Sequence, residues 1–409
     1  MKLGSFAVFA PLFLMLGAAA PEERKEAGAP VVDLQHIRWV SGKAQARTES
    51  GDIAELTLQQ KYQEQAEALL ARTHARAAAA IVIDIKSAKV LVWAHTSKIG
   101  KNLLLSAETP SASLFKIVTT AALLERSRVT PRWEVCSAGG EHGINSAHLT
   151  PPREGVKECG PFWQALGFSR NAAYAQLATR YLDPPTIEIY GTKFGFNQAL
   201  AFDVTLPMGT LTVPEQPLAL ARTAIGFENS KLSLLGATQL THIVALGGLL
   251  PRVRIVERAG LYQAANESSE GLRVLREVTV RRLRKMLEVT IHSGTSREAF
   301  TNSDGQNYLG DIQAAGKTGT LDLGAEGPTA SWFSGFAPSE KPEVLVGVLL
   351  HNERVWHRKA NEVARDLFRI YFADAGARGV TSPFASPVHV AGSPKSRVRQ
   401  AAASHPSLN

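Results

Sequence analysis

A hydroxyl and an amine lie three residues apart at Ser113 and Lys116. The apolar run Ile117-Val118-Thr119-Thr120-Ala121-Ala122-Leu123-Leu124 follows, so the pair opens what reads as a buried helix. Positions i and i+3 share a helix face, which brings Lys116 Nζ within reach of Ser113 Oγ. A serine hydroxyl becomes a useful nucleophile when a neighbouring base takes its proton. An amine can be that base if burial and nearby positive charge lower its pKa. The helix N-terminus adds positive potential and backbone N–H groups where an oxyanion would form. For two residues alone, a helix cap beside a surface lysine is the plainer reading.

Two further patterns follow in order. Ser169 and Asn171 open a second helical run, residues 172–181. Lys317, Thr318, Gly319 and Thr320 lie in a strand-like stretch, with Gly316 and Gly319 on either side of the lysine. Ser-x-x-Lys and Lys-Thr-Gly each occur once. Ser-x-Asn recurs only at Ser407–Asn409, out of order.

The elements that must position these groups can be read coarsely. Met1-Lys2 and the apolar run to Ala20, ending in Gly17-Ala18-Ala19-Ala20, read as an export signal or an uncleaved single membrane anchor over 1–20. Residues 21–51 read as a linker, and helical spacing begins at Leu56 and runs to about Ala71. The runs Ala80–Ile85 and Val90–Ala94 read as a hairpin turned by Lys86-Ser87-Ala88-Lys89. Residues 127–169 read as loop with short helices, and 182–300 as mostly helical. Strands return at 312–320, 330–337 and 343–350, and an amphipathic helix spans 361–372. Residues 374–409 read as a disordered basic tail. Strands at both ends with helices between them predict one antiparallel sheet, built from the first hairpin and the last strands. Helices cover its faces, and an all-helical subdomain is inserted between its two parts.

The order Ser-x-x-Lys, Ser-x-Asn, Lys-Thr-Gly matches the signature of penicillin-binding proteins and class A β-lactamases, with Ser-x-Asn in place of Ser-Asp-Asn. On these residues the chain resembles the transpeptidase domain of penicillin-binding proteins, from about Glu55 to Ala373. Ala224-Ile225-Gly226-Phe227, Leu232–Leu240, Gly294-Thr295 and Trp332–Pro338 are also similar to that family. The chain departs from it in having Ser87-Ala88 where the hairpin usually turns on glycine. No glycosyltransferase domain and no sizeable pedestal domain reads ahead of the transpeptidase. The resemblance implies an α/β fold of the α+β type, with a five-stranded antiparallel sheet, flanking helices and an inserted helical subdomain, β-lactamase/transpeptidase-like. The domain would occupy 52–373.

The same resemblance implies roles. Ser113 would attack the D-Ala-D-Ala carbonyl of peptidoglycan stem peptides and carry the acyl group, and β-lactams would acylate it as inhibitors. Lys116 would be the base and Ser169 the proton carrier to the leaving group. Asn171 would hold the substrate amide. Lys317, Thr318 and Thr320 would meet the substrate carboxylate, and Gly319 would let substrate lie against the strand. The N–H groups of Ser113 and Thr320 would form the oxyanion hole. The implied activity is D,D-transpeptidation, with D,D-carboxypeptidase or serine β-lactamase as alternatives. A non-turnover sensor or scaffold for β-lactam or cell-wall peptide is the reading from another class. No Glu-x-x-Leu-Asn stretch follows Asn171, and Asn171 itself is not apolar, which demotes the class A and class D β-lactamase readings respectively. No cofactor and no metal is implied, and cell-wall synthesis proteins are candidate partners.

Composition fits this frame. The 409 residues are 44% hydrophobic and 20% charged, with a net charge of +8 that suits an acidic polymer or anionic lipid. No zinc-finger spacing and no aromatic-interleaved basic patch points to nucleic acid. Cys136 and Cys159, the only cysteines, allow one disulfide in an exported chain, the other reading being two free thiols. Such a loop would stabilise by about 3 kcal/mol. A periplasmic or other extracytoplasmic location, exported or anchored to the inner membrane, follows.

Overall fold

A computed structural model describes residues 31–384, except 142, 154, 156–157, 265–270, 325–326, 354–355 and 377–378. The export signal or anchor and most of the tail lie outside the described residues. No helix among the described residues is long and apolar enough to cross a membrane.

The centre is a five-stranded antiparallel sheet. Its spatial order is Ala315–Asp322, Thr329–Ala337, Val344–Asn352, Ala77–Asp84, Lys89–Ser97. The two inner strands that come last in the chain are buried along their whole length, which is why they read as continuous apolar runs rather than alternating ones. The first hairpin closes the sheet by pairing Ile83 with Leu345 and Ile81 with Gly347. The α+β reading with its five-stranded antiparallel sheet is therefore borne out.

Helices cover both faces. On one side the helices Gln60–Ala71 and Ala360–Asp374 pack Leu69, Leu70, Leu367 and Phe368 against Val82, Phe333, Val346 and Val348. On the other, the helix Leu234–Ala245 is buried on all sides, as a mean apolar character around its whole circumference requires. The insert between Ser97 and Ala315 carries the helices Lys116–Arg126, Asn171–Tyr181, Pro184–Phe194, Pro217–Ala224 and Glu277–His292.

Several expectations need correction. Residues 31–51 are not linker. The strands Arg38–Val40 and Lys43–Arg47 pair with each other and then with Ile53–Gln59, and a distant hairpin, Val256–Ala259 with Tyr262–Gln263, completes a second five-stranded sheet. Val32, Leu34, Ala44 and Ala46 are buried in the main core, so the fold begins well before residue 52. Leu56 and Leu58 belong to a strand, and the helix starts at Gln60. The stretch 182–300 also contains strands, Gly209–Leu211 and Ser230–Leu232 among them. The tail does not begin at 374. Asp374 ends the last helix, where Lys61 and Tyr62 bond to it, and Phe384 lies under the Arg72 guanidinium at 4.9 Å.

The region 127–169 contains a two-stranded ribbon, Glu134–Ser137 with Glu158–Pro161, in which Cys136 faces Cys159 directly. The two sulfurs are bonded, closing a sequence separation of 23 residues. Among the described residues no group of three or more His, Cys, Asp or Glu side chains is placed to hold a metal ion.

Candidate active site

Ser113 lies in a 3-10 turn, Ala112–Phe115, that runs directly into the helix Lys116–Arg126. Side chains three apart eclipse in such a turn, and Lys116 Nζ stands 3.0 Å from Ser113 Oγ. The segment leading into the turn is anchored on three sides. Thr109–Pro110 pairs with Ser230–Leu232. Ser111 N donates to Ser230 O at 3.1 Å, and Trp332 Nε1 donates to Pro110 O at 3.0 Å. Ala112 takes a left-handed φ of 46°, a conformation that costs free energy in a residue with a Cβ and persists only where packing holds it. Gly226 provides part of that packing. A Cβ there would stand 1.9 Å from Ala112 O, and its own φ is +81°.

Four atoms surround Lys116 Nζ. Besides Ser113 Oγ they are Ser169 O at 3.0 Å, Ser169 Oγ at 3.1 Å and Asn171 Oδ1 at 2.5 Å. Ser169 is also left-handed, with φ 58°, and in this conformation both its carbonyl and its hydroxyl meet the amine. Asn171 begins the helix Asn171–Tyr181. Its Nδ2 donates to Gly140 O at 2.7 Å, which turns Oδ1 toward Lys116. Below the amine lies the Tyr174 ring, 5.5 Å away, with its hydroxyl tied to Thr120 Oγ1 at 2.6 Å.

The edge strand Ala315–Asp322 closes the site. Lys317 Nζ lies 3.1 Å from Ser169 Oγ and donates to Thr318 O at 2.9 Å. Ser169 Oγ therefore bridges two amines. The strand comes so near the Ser113 turn that a Cβ on Gly319 would stand 3.2 Å from Ala112 Cβ and 3.3 Å from Trp332 Cβ.

Both lysines are 0% exposed, and neither has a carboxylate partner among the described residues. Removal from water disfavours a charge that nothing repays. Burial, and then the charge of Lys317, hold Lys116 well below the usual lysine range. Burial alone brings Lys317 down to about 7. Both shifts favour an unprotonated amine beside a serine hydroxyl, the arrangement a general base requires.

A cleft of about 460 Å³ opens onto Ser113, Ser169, Asn171, Thr318 and Thr320. A roomier groove of about 530 Å³ lies between Trp163, Arg281 and Met286 and holds no nucleophile. Every residue singled out from the three motifs thus converges on one place: Ser113, Lys116, Ser169, Asn171, Lys317, Thr318, Gly319 and Thr320. The sequence reading named Gly294-Thr295 as family-like but gave no site role to the cleft's far wall. Thr295 Oγ1 lies 2.6 Å from Thr318 Oγ1, and Trp356, Lys359 and Asn361 also line the cleft. The helix that carries Asn361 was legible, but no local signal ties its first turn to a strand forty residues earlier.

Comparison with known proteins agrees with the geometry. Residues 78–369 match the family model described as the penicillin binding protein transpeptidase domain. The chain is 26% identical over 262 residues to the peptidoglycan D,D-transpeptidase PbpA of Mycobacterium tuberculosis, covering 61% of this chain and 51% of that one. It is 24% identical over 273 residues to the stage V sporulation protein D of Bacillus subtilis, covering 62% and 40%. The chain thus spans about half the length of the curated relatives it matches. Among solved structures, a D,D-transpeptidase domain from Eggerthella lenta superimposes with a TM-score of 0.63 at 19% identity, over 82% of this chain and 96% of that one. Penicillin-binding protein A of M. tuberculosis, in its imipenem acyl-enzyme complex, gives 0.63 at 18% identity, over 78% and 79%.

Proposed function

Because the chain belongs to the penicillin-binding protein transpeptidase family, we propose that it is a serine D,D-transpeptidase acting on D-Ala-D-Ala stem peptides of peptidoglycan and acylated by β-lactams. The observation that carries this reading is the buried amine of Lys116, 3.0 Å from Ser113 Oγ.

The chemistry follows from the contacts. Neutral Lys116 takes the proton of Ser113 as Oγ bonds to the carbonyl carbon of the penultimate D-alanine. The backbone N–H groups of Ser113 and Thr320 receive the negative oxygen; one such donor is worth roughly 10²–10³ in rate. Breaking the amide bond needs a proton on the departing nitrogen. Ser169 Oγ gives its own and is reloaded by Lys116, 3.1 Å away. The terminal D-alanine leaves and an ester remains on Ser113. An amine of a second stem peptide then attacks the ester by the reverse path, and the proton it loses returns through Lys116. Asn171 holds the substrate amide, and the bare edge at Gly319 lets the peptide pair with the strand as an added strand. The Cys136–Cys159 bond suits an oxidising compartment, which supports a site of action outside the cytoplasm.

Intact-mass measurement after exposure to benzylpenicillin tests the reading. An adduct of the antibiotic's full mass, mapping to Ser113 and persisting for many minutes, is expected. An unlabelled protein under conditions that label a known penicillin-binding protein overturns it. Rapid return to free enzyme would instead indicate a β-lactamase.

A further inference from the structure

The cleft continues past the nucleophile, behind the edge strand. Successive strand residues face opposite sides, so Thr318 and Thr320 point away from Lys317 and Gly319. Ser331 stands opposite Thr320 in the register, and its Oγ accepts from Ala360 N at 3.1 Å. This bond seats the first turn of the helix Ala360–Asp374 against the cleft wall. Asn361, in that turn, is only 5% exposed. Its Nδ2 donates to Ser296 Oγ at 3.2 Å, while Oδ1 has no partner among the described residues. The Ser296 hydroxyl can donate or accept, so either amide atom can take that bond and leave the other for a ligand. A buried amide atom without a partner is costly, and a ligand that bonds to it would relieve that cost.

Lys359 precedes this turn, exposed and without an ion pair among the described residues. Its Nζ stands 6.0 Å from the Trp356 ring centroid, near enough for the ring to favour one placement of the ammonium. Lys317, the cation carried by the strand itself, is a poor match for an incoming anion. It is fully buried, bonded to Ser169 Oγ and Thr318 O, and turned to the front of the strand.

We propose that Lys359, placed by Trp356 and assisted by the Asn361 amide, supplies the fixed positive charge that recognises the substrate carboxylate, leaving Lys317 to the proton-transfer network. This rests on the transpeptidase reading above. It makes Lys359 a specificity-determining residue, with Thr318 and Thr320 hydroxyls as the neutral donors between it and Ser113.

Second-order acylation rates with benzylpenicillin and with its methyl ester test the proposal, because the two differ only in methylation of the carboxylate, which removes its charge. Wild type should prefer the free acid, and added salt should erode that preference. Lys359→Gln should lower the acid-to-ester ratio tenfold or more while the ester rate stays within about twofold. Lys359→Glu should lower the ratio further, and Asn361→Ala should lower it about threefold. An unchanged ratio in Lys359→Gln, or an equal loss with both compounds, overturns the assignment. A wild type acylated by neither compound would bring down the transpeptidase reading itself, which separates the two failures.

Discussion

The two sides of the strand Ala315–Asp322 solve different problems. In front, Lys116, Asn171 and Lys317 are buried, Ser169 is half-buried, and each polar atom is committed to another. Behind, Lys359 is solvated, Thr318 and Thr320 border the cleft, and Asn361 keeps one amide atom free. Proton transfer needs an amine stripped of water so that it stays unprotonated. Recognition needs a charge that remains charged and groups that still lack partners. One strand can serve both because its side chains alternate.

That contrast can be broken from the front first. Ser113→Ala should abolish covalent labelling by fluorescent penicillin, and residual labelling would place the nucleophile elsewhere. Lys116→Ala should slow acylation roughly 10²–10⁴-fold, the range lost with a general base, as read by stopped-flow mixing. Gly226→Ala keeps every catalytic side chain but drives a methyl into Ala112 O. A displacement on the order of 1 Å can cost about 10²-fold, so acylation should fall by at least tenfold with little change in substrate carboxylate preference.

A subtler effect concerns pH. Lys116 must be neutral to accept a proton, so acylation rises as pH climbs through its depressed pKa. The charge of Lys317 helps depress it. Lys317→Met removes that charge, and the rising limb of the pH–rate profile should move to higher pH. A limb that stays in place would show that burial alone sets the pKa, and one that moves lower would contradict the coupling to Lys317. The smallest catalytic effect belongs to the ribbon. Cys136→Ser with Cys159→Ser should leave acylation within a few-fold and lower stability by about 3 kcal/mol, measured by denaturant unfolding.

The sheet and the three motifs were legible because their signals are local. Ile81, Val82 and Ile83 form a β-branched run, and Ser113 with Lys116 need only one turn of helix. The second sheet was hidden because its first strands hold small buried residues, Ala44 and Ala46, between charged exposed ones. Their hydrophobic signal is weak, and the pairing strand Val256–Ala259 lies far along the chain. Ala54, Leu56 and Leu58 alternate with period two, yet Leu58, Tyr62, Ala66 and Leu69 also fit a helix, so the boundary at Gln60 fell between two valid patterns. The far wall of the cleft depends on tertiary closure alone, since Asn361 meets Ser296 and Ala360 meets Ser331 only after the sheet forms.

The pairing of Ile83 with Leu345 also sets an order of events in folding. The sheet's innermost contacts join the first hairpin to the last strand of the described residues, so loop closure must be completed before they stabilise anything. Ser113 and Lys116 leave the ribosome long before the strand that carries Lys317. Until Thr329–Ala337 and Val344–Asn352 arrive, the Leu234–Ala245 helix lacks most of the sheet it covers, and part of its apolar surface stays open. Exposed apolar surface of this kind favours aggregation during folding, and the site is complete only once the strand that carries Lys317 and Thr320 is in place.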